Sequence, residues 1–328
     1  MNDRAVLITG GAGYIGSKLA QRLLASGWEV RVLDRLLHGG DALLGMWSHP
    51  RFHFVLGDVR DRAAVDAALD GEVYAVVHLA AIVGDPACAQ APDEARSTNL
   101  DGALNVYEAA KRCGAARFLF ASTCSNYGKM KDSDGFVDES SELAPISLYA
   151  ETKVAVEQTI LDERNGGGFA PTCLRFATVY GVSPRMRFDL TVNEFTMVLA
   201  LKKHLVVFGE QFWRPYIHVG DAARAILRVL ESPRDEVAYE VFNVGSTDEN
   251  YQKRMIVDAI VKRIPGARIE RVKKDEDPRD YRVNFGKIQR VLGFHLTRTV
   301  EDGIDEVLAL ARSRIVDDFS SPKYRNSS

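Results

Sequence analysis

Residues 5–16 read Ala5-Val-Leu-Ile-Thr9-Gly10-Gly11-Ala12-Gly13-Tyr14-Ile15-Gly16, and the fold is decided there. Residues 5–9 form an apolar run of the length of a strand buried on both faces, and glycines end it. From Tyr14 the period changes: Ile15, Leu19, Leu23 and Leu24 recur at helical spacing up to residue 26, and Gly27 is the stop signal. Between the two elements Gly10 permits a tight turn, Gly13 lets the backbone approach a pyrophosphate, and Gly16 lets the helix pack close on the strand. The helix start then offers unpaired N–H groups and the positive end of its dipole to phosphates. The next predicted strand, 29–34, ends in Asp34, 18 residues past Gly16. A carboxylate at that place accepts hydrogen bonds from an adenosine ribose and repels a 2′-phosphate, which selects NAD. The neighbouring Arg35 keeps NADP open, because a guanidinium pairs with that phosphate.

Working outward, the same alternation continues. Further strands are predicted at 52–56, 75–79, 117–122 and 171–175, with helices at 61–69, 93–113 and 148–163. Apolar strands separated by helices make an α/β chain with a parallel sheet covered on both faces. This is the doubly wound, Rossmann-type architecture, which binds ligands at the carboxyl ends of its strands. Beyond residue 181 the alternation loosens. Residues 183–189 read as a polar, basic loop and 190–203 as a helix, while 215–219 and 240–244 read as strands returning to the sheet. From about 248 onward the chain is mixed and charge-rich. The expected division is a dinucleotide-binding domain of residues 1–182 with 213–247. A smaller mixed α/β substrate domain takes 183–212 and 248–328. Residues 165–168 read as a flexible turn, and 317–328 as a loosely held polar tail.

Composition excludes several classes of partner. The chain has 328 residues, 46% hydrophobic and 27% charged, as in an ordinary globular protein. A formal net charge of −3 gives no electrostatic footprint for nucleic acid or an anionic membrane. No apolar run approaches the ~20 residues that span a bilayer, and the first strand is too short for a signal-peptide core. Cys88, Cys113, Cys124 and Cys173 lack paired spacing and read as reduced thiols of a cytoplasmic protein. His38, His49, His53, His204 and His295 are scattered, so no metal site is expected.

The chemistry-bearing signal is Tyr149-Ala-Glu-Thr-Lys153. Residues four apart lie one turn above each other on a helix, so phenol and ammonium converge. A tyrosine titrates near 10, so service as a base near neutrality requires about 4 kcal/mol of anion stabilisation. Lys153 and the positive nicotinamide ring of NAD+ are the cations for that task. Just before this helix, Ser122-Thr123-Cys124-Ser125-Asn126-Tyr127-Gly128 leaves the fifth strand and brings a hydroxyl to hold a substrate oxygen.

With these motifs the chain resembles the extended short-chain dehydrogenase/reductase family, the NAD-dependent epimerase/dehydratase group acting on nucleotide sugars. The resemblance runs from about residue 4 to 310. It takes in Gly57-Asp58-Val59, facing the adenine in that family, and His78-Leu79-Ala80-Ala81, lining the cofactor. Asn99 matches an asparagine behind the active site, and Phe176 lies in the cofactor-lining stretch Leu174-Arg-Phe-Ala-Thr178. Arg214-Pro-Tyr-Ile-His218-Val-Gly-Asp221 and Phe242-Asn-Val-Gly245 match two further family motifs. By this likeness Thr123, Tyr149 and Lys153 are catalytic, Arg214 binds the substrate's diphosphate, and two helices per subunit, near 93–113 and 148–163, join a homodimer as a four-helix bundle.

The departures narrow the activity. Sugar 4,6-dehydratases of this group carry Asp-Glu after the threonine, and the related decarboxylases carry a glutamate in that stretch. This chain has Cys124-Ser125. Thr178 stands where the family has a phosphate-contacting asparagine. Cys124 either touches substrate or is a small buried side chain. Arg185 and Arg187, with Asn193 close behind, are candidate substrate contacts. So is Arg279 within Asp277-Pro-Arg279-Asp-Tyr281-Arg282. The leading reading is epimerisation of a nucleotide-activated sugar at C4 through a transient ketone. A keto-sugar reductase or dehydrogenase, which consumes added cofactor, is the alternative. A non-catalytic dinucleotide-binding protein is the third reading.

Overall fold

The computed structural model describes residues 4–130, 135–164, 168–273 and 279–326. Residues 165–167 of the predicted turn, Asp277 and Pro278 of the stretch around Arg279, and residues 327–328 lie outside the described residues.

The strands run in chain order β1 Ala5–Thr9, β2 Glu29–Asp34, β3 Phe52–Leu56, β4 Ala75–His78, β5 Arg117–Thr123 and β6 Ala170–Phe176. After them come β7 Thr178–Tyr180, β8 His204–Phe208, β9 Trp213–His218, β10 Glu240–Val244, β11 Asn250–Gln252 and β12 Arg268–Val272. Seven of them form one parallel sheet in the order β10-β6-β5-β4-β1-β2-β3. Alternate residues feed two cores, which explains why the strands read as unbroken apolar runs. Val6, Ile8, Val30 and Val32 pack with Leu19 and Leu23 of the first helix, Tyr14–Ala25, on one face. Leu7, Leu33, Val76, Phe118 and Phe120 pack with Val106, Tyr107, Val156 and Ile160 on the other. Strand order reverses between β1 and β4, and this opens a crevice at their carboxyl ends.

Three expectations need correction. The strand expected at 215–219 is β9, which pairs with β7 and β11 in a separate three-stranded sheet. β10, not β9, takes the place beside β6 in the large sheet. The helix expected at 93–113 is broken into Pro92–Arg96, a π-helical turn Ser97–Gly102, and Ala103–Arg112. The loosely held tail is docked. Phe319 is buried, and the Phe188 ring meets Phe319 and Tyr324 edge-on at 6.1 and 5.2 Å. Average polarity across the segment concealed those two aromatic anchors.

Candidate active site

A cavity of about 340 Å³ follows the carboxyl ends of β1, β2, β4, β5 and β6. At one end stand the glycine turn, Asp34, Arg35, Asp58 and Val59; at the other stand Thr123, Ser125, Tyr149 and Lys153. Leu79, Ala80, Ala81 and Phe176 line the passage between.

The dinucleotide end is backbone-built. Gly10 has φ +74°, and a Cβ there would lie 2.7 Å from Ala80 N. At Gly16 a Cβ would lie 2.3 Å from Gly10 O. Gly13 caps the first helix without a side-chain bond, so the first-turn amides, with Gly13, Tyr14, Ile15 and Gly16 lining the cavity, suit an anion. Asp34 Oδ2 accepts from Ala12 N at 2.9 Å and Oδ1 from Leu36 N at 2.8 Å. Burial raises its pKa, and the two N–H donors oppose that shift. Arg35 Nη1 pairs with Asp58 (3.2 Å) and Glu94 (2.8 Å), while its buried Nη2 has no partner. Arg60 also holds Asp58, whose pKa falls to about 2. A dinucleotide without a 2′-phosphate fits this end.

The reacting end is made of side chains. Thr123 Oγ1 caps the short 3-10 turn Cys124–Tyr127 by accepting from Ser125 N at 3.1 Å, which leaves its O–H to donate. Tyr149 and Lys153 stand on the helix Leu148–Asp162, whose N-cap Ser147 also donates to Asp85 at 2.7 Å. Lys153 Nζ lies 4.7 Å from the Phe120 ring centroid and 5.9 Å from that of Tyr149. Burial lowers its pKa to about 8. The same burial, with Cys88, Asp85 and Tyr281, outweighs Arg187 and holds the Tyr149 phenol above the ordinary tyrosine range. The protein neighbours of Tyr149 therefore do not supply the lowering that a base requires. His78 lies behind, its Nδ1 2.8 Å from Thr9 Oγ1, and burial and Lys153 keep it neutral with a pKa of about 3.

Below this end runs a buried polar chain. Ser122 donates to Glu157 (2.8 Å), Arg175 pairs with Glu157 and donates to Tyr127 (2.8 Å), and Tyr127 donates to Asn243 (2.8 Å). It ties the helix Leu148–Asp162 to β5, β6 and β10. Glu157 follows Lys153 by one turn, so a Tyr149–Lys153–Glu157 spacing was available in the sequence to reveal it.

Thr178, Arg185, Arg187 and Arg279 also line the cavity. Four expected contacts do not. Asn99 is 1% exposed; the π-turn aims it at Ile82, whose N–H it accepts at 2.8 Å and whose carbonyl it donates to at 2.9 Å, while Thr98 reaches the cavity. Cys124 is buried, its thiol donating to Arg175 O at 3.2 Å. Asn193 is buried and fixes Gly181, Arg187 and the Tyr14 hydroxyl. Arg214 donates to Trp213 O at 2.7 Å and stacks 5.3 Å from the Tyr281 ring, so it backs a lining residue instead of facing the cavity. His38, Tyr281 and Asn326 line the cavity without having been singled out as contacts. Tyr281 lies within the stretch already marked around Arg279, whereas nothing in the local sequence marks His38 or Asn326. Among the described residues no cluster of His, Cys, Asp or Glu is placed to hold a metal, and no helix is long and apolar enough to cross a membrane.

Residues 6–245 match the model of the NAD dependent epimerase/dehydratase family. UDP-glucose 4-epimerase of Bacillus subtilis (strain 168) is 29% identical over 322 residues, covering 91% of this chain and 94% of that protein. UDP-glucuronic acid decarboxylase 1 of Arabidopsis thaliana is 28% identical over 323 residues, 95% of this chain and 71% of that protein. The crystal structure of Thermus thermophilus UDP-glucose 4-epimerase in complex with NAD superposes with a TM-score of 0.81 at 26% identity, over 95% of this chain and 100% of that one.

Proposed function

Because the chain belongs to the NAD-dependent epimerase/dehydratase family, we propose that it inverts C4 of a nucleoside-diphosphate sugar through a transient ketone. One observation carries the choice of reaction. Among the described residues lining the cavity the acids are Asp34 and Asp58, both at the dinucleotide end. Removal of water or carbon dioxide at the other end would have to proceed without a lining carboxylate beside Thr123, Ser125, Tyr149 and Lys153.

NAD+, when bound, supplies a hydride acceptor that can return the hydride, together with a positive ring. Gly10, Gly13, Gly16 and Asp34 hold it. Tyr149 takes the proton of the sugar hydroxyl and later gives it back. Thr123 donates to the oxygen on which charge develops, and Lys153 adds the second cation that the phenolate requires. Burial of the phenol fits this division, since it shields Tyr149 from bulk water. The reading extends to residues 1–182 with 213–247 as the cofactor domain, to a cytoplasmic homodimer joined through the helices near 93–113 and 148–163, and to Arg279 as a substrate contact. Arg279 pairs with Asp85 at 2.8 Å across the mouth, and a substrate anion would compete for it.

The deciding experiment incubates the purified protein with UDP-hexoses and no added nicotinamide. Appearance of the C4 epimer is the expected result. Product that accumulates only in proportion to added NADH or NADPH would make the protein a reductase instead.

A further inference from the structure

Residues 183–189 bring two arginines to the cavity, and the first of them stands beside the glycine turn. Arg185 is 6% exposed and lines the wall beside Tyr14 and Asp34, and its Nε has no partner. A buried guanidinium N–H left idle is costly unless the cavity itself brings an acceptor. The loop is pinned to the first turn of the first helix. Ser183 donates to Tyr14 O at 2.6 Å, and Arg185 N donates to Ser17 Oγ at 3.4 Å. That turn is the anion-binding part of the glycine motif.

The last described segment holds this loop from outside. Arg185 Nη2 donates to Arg325 O at 3.0 Å, and Phe188 N donates to Tyr324 O at 2.9 Å. Asp189 holds Arg187 through both oxygens, at 3.0 and 2.7 Å, and accepts from Asn326 N at 3.2 Å. Arg325 reaches Glu194 at 3.5 Å, while Phe319 and Tyr324 clamp the Phe188 ring. Asn326 lines the cavity too, and its Oδ1 is buried without a partner. Loop and segment thus present two unsatisfied polar side chains to one wall. His38 on the same wall adds no charge, because burial and the two arginines hold its pKa near 4.

We propose that residues 319–326 form a strap that presses Arg185 against the anionic diphosphate of the bound dinucleotide and so retains the cofactor between turnovers. The proposal rests on reading the cavity as an NAD site. It gives that reading a physical advantage: a sugar oxidised midway needs its hydride back, so early cofactor loss would strand a ketone.

The test measures cofactor retention, not turnover. The full chain, a chain shortened after Val316, and Arg185→Gln are each loaded with NAD and passed through gel filtration. Bound nucleotide is then released with acid and quantified, and exchange against labelled NAD is timed. Both variants should exchange NAD at least about tenfold faster, the size of one lost charge-assisted hydrogen bond. Exchange at the parent rate in Arg185→Gln, or in a shortened chain with unchanged circular dichroism, overturns the strap. Should the shortened chain not fold, Asn326→Asp decides. Its added negative charge speeds release if the strap faces the diphosphate, and an unchanged rate overturns the proposal. A parent protein that binds no NAD at all instead sinks the cofactor reading.

Discussion

At the dinucleotide end of the cavity, position is set by backbone: a left-handed Gly10, a Gly16 packed against Gly10 O, and a helix start with no side-chain cap. At the reacting end, position is set by side chains from two elements, Thr123 on β5 and Tyr149 with Lys153 on one helix. A backbone cradle is finished once the chain folds. The side-chain end is not, because burial holds both of its titratable groups toward their uncharged forms, with Lys153 lowered to about 8 and Tyr149 raised. The first end is set by the backbone alone, and the second by charges that burial disfavours.

The largest break of this contrast is Tyr149→Phe. General acid–base catalysis contributes about 10²–10⁴-fold, so turnover should fall by about 10³-fold. NAD content per subunit should stay at the parent level, because the cradle is untouched. Turnover assays and acid release of bound nucleotide on one preparation check both halves. Activity within a few-fold of the parent would remove Tyr149 from the reaction, and lost NAD would show that the two ends are not separable.

A second effect isolates Lys153 in the cofactor-free protein. Its folded pKa of about 8 lies below the unfolded value, near 10.4. Between those values the unfolded chain holds a proton that the folded chain has released, so this group makes stability rise with pH. Below about pH 8 the whole cost is present, on the order of 3 kcal/mol. Lys153→Met should therefore be more stable than the parent at pH 7, and the gap should narrow toward pH 10. Urea melts of cofactor-free protein at both pH values give the comparison. A gap that stays constant with pH means that burial of the ammonium carries no cost.

The same contrast explains what could be read in advance. The glycine turn, Asp34 and the Tyr149–Lys153 pair are local patterns whose chemistry depends on spacing within a few residues, and β1 to β6 and β10 carry the plain apolar signature of a covered parallel sheet. What local patterns do not show is where distant partners lie. β10, not β9, takes the place beside β6. Asn99 turned to Ile82 because of one extra residue in a π-turn. Arg214 looked like a phosphate ligand until Tyr281, 67 residues later, proved to lie over it. Arg185 and Arg325 meet across 140 positions, and no periodicity links them.

The smallest effect concerns cofactor choice, where both readings of the sequence had support. Arg35 was the argument for NADP, but its guanidinium is engaged by Asp58 and Glu94. A 2′-phosphate would meet the Asp34 carboxylate with that cation already paired. Repulsion between two partly exposed charges a few ångströms apart is worth roughly 1–2 kcal/mol, or about tenfold in relative affinity. Asp34→Asn should thus relax the preference for NAD over NADP about tenfold. It should also cost about 1 kcal/mol of stability, because an amide accepts through one oxygen and the N–H groups of Ala12 and Leu36 need two. Dissociation constants for both nucleotides, measured on parent and variant, settle the point. A parent that binds NADP as tightly as NAD would mean that Arg35 abandons its carboxylates for the phosphate, and then Arg35→Ala, not Asp34→Asn, becomes the substitution that shifts specificity.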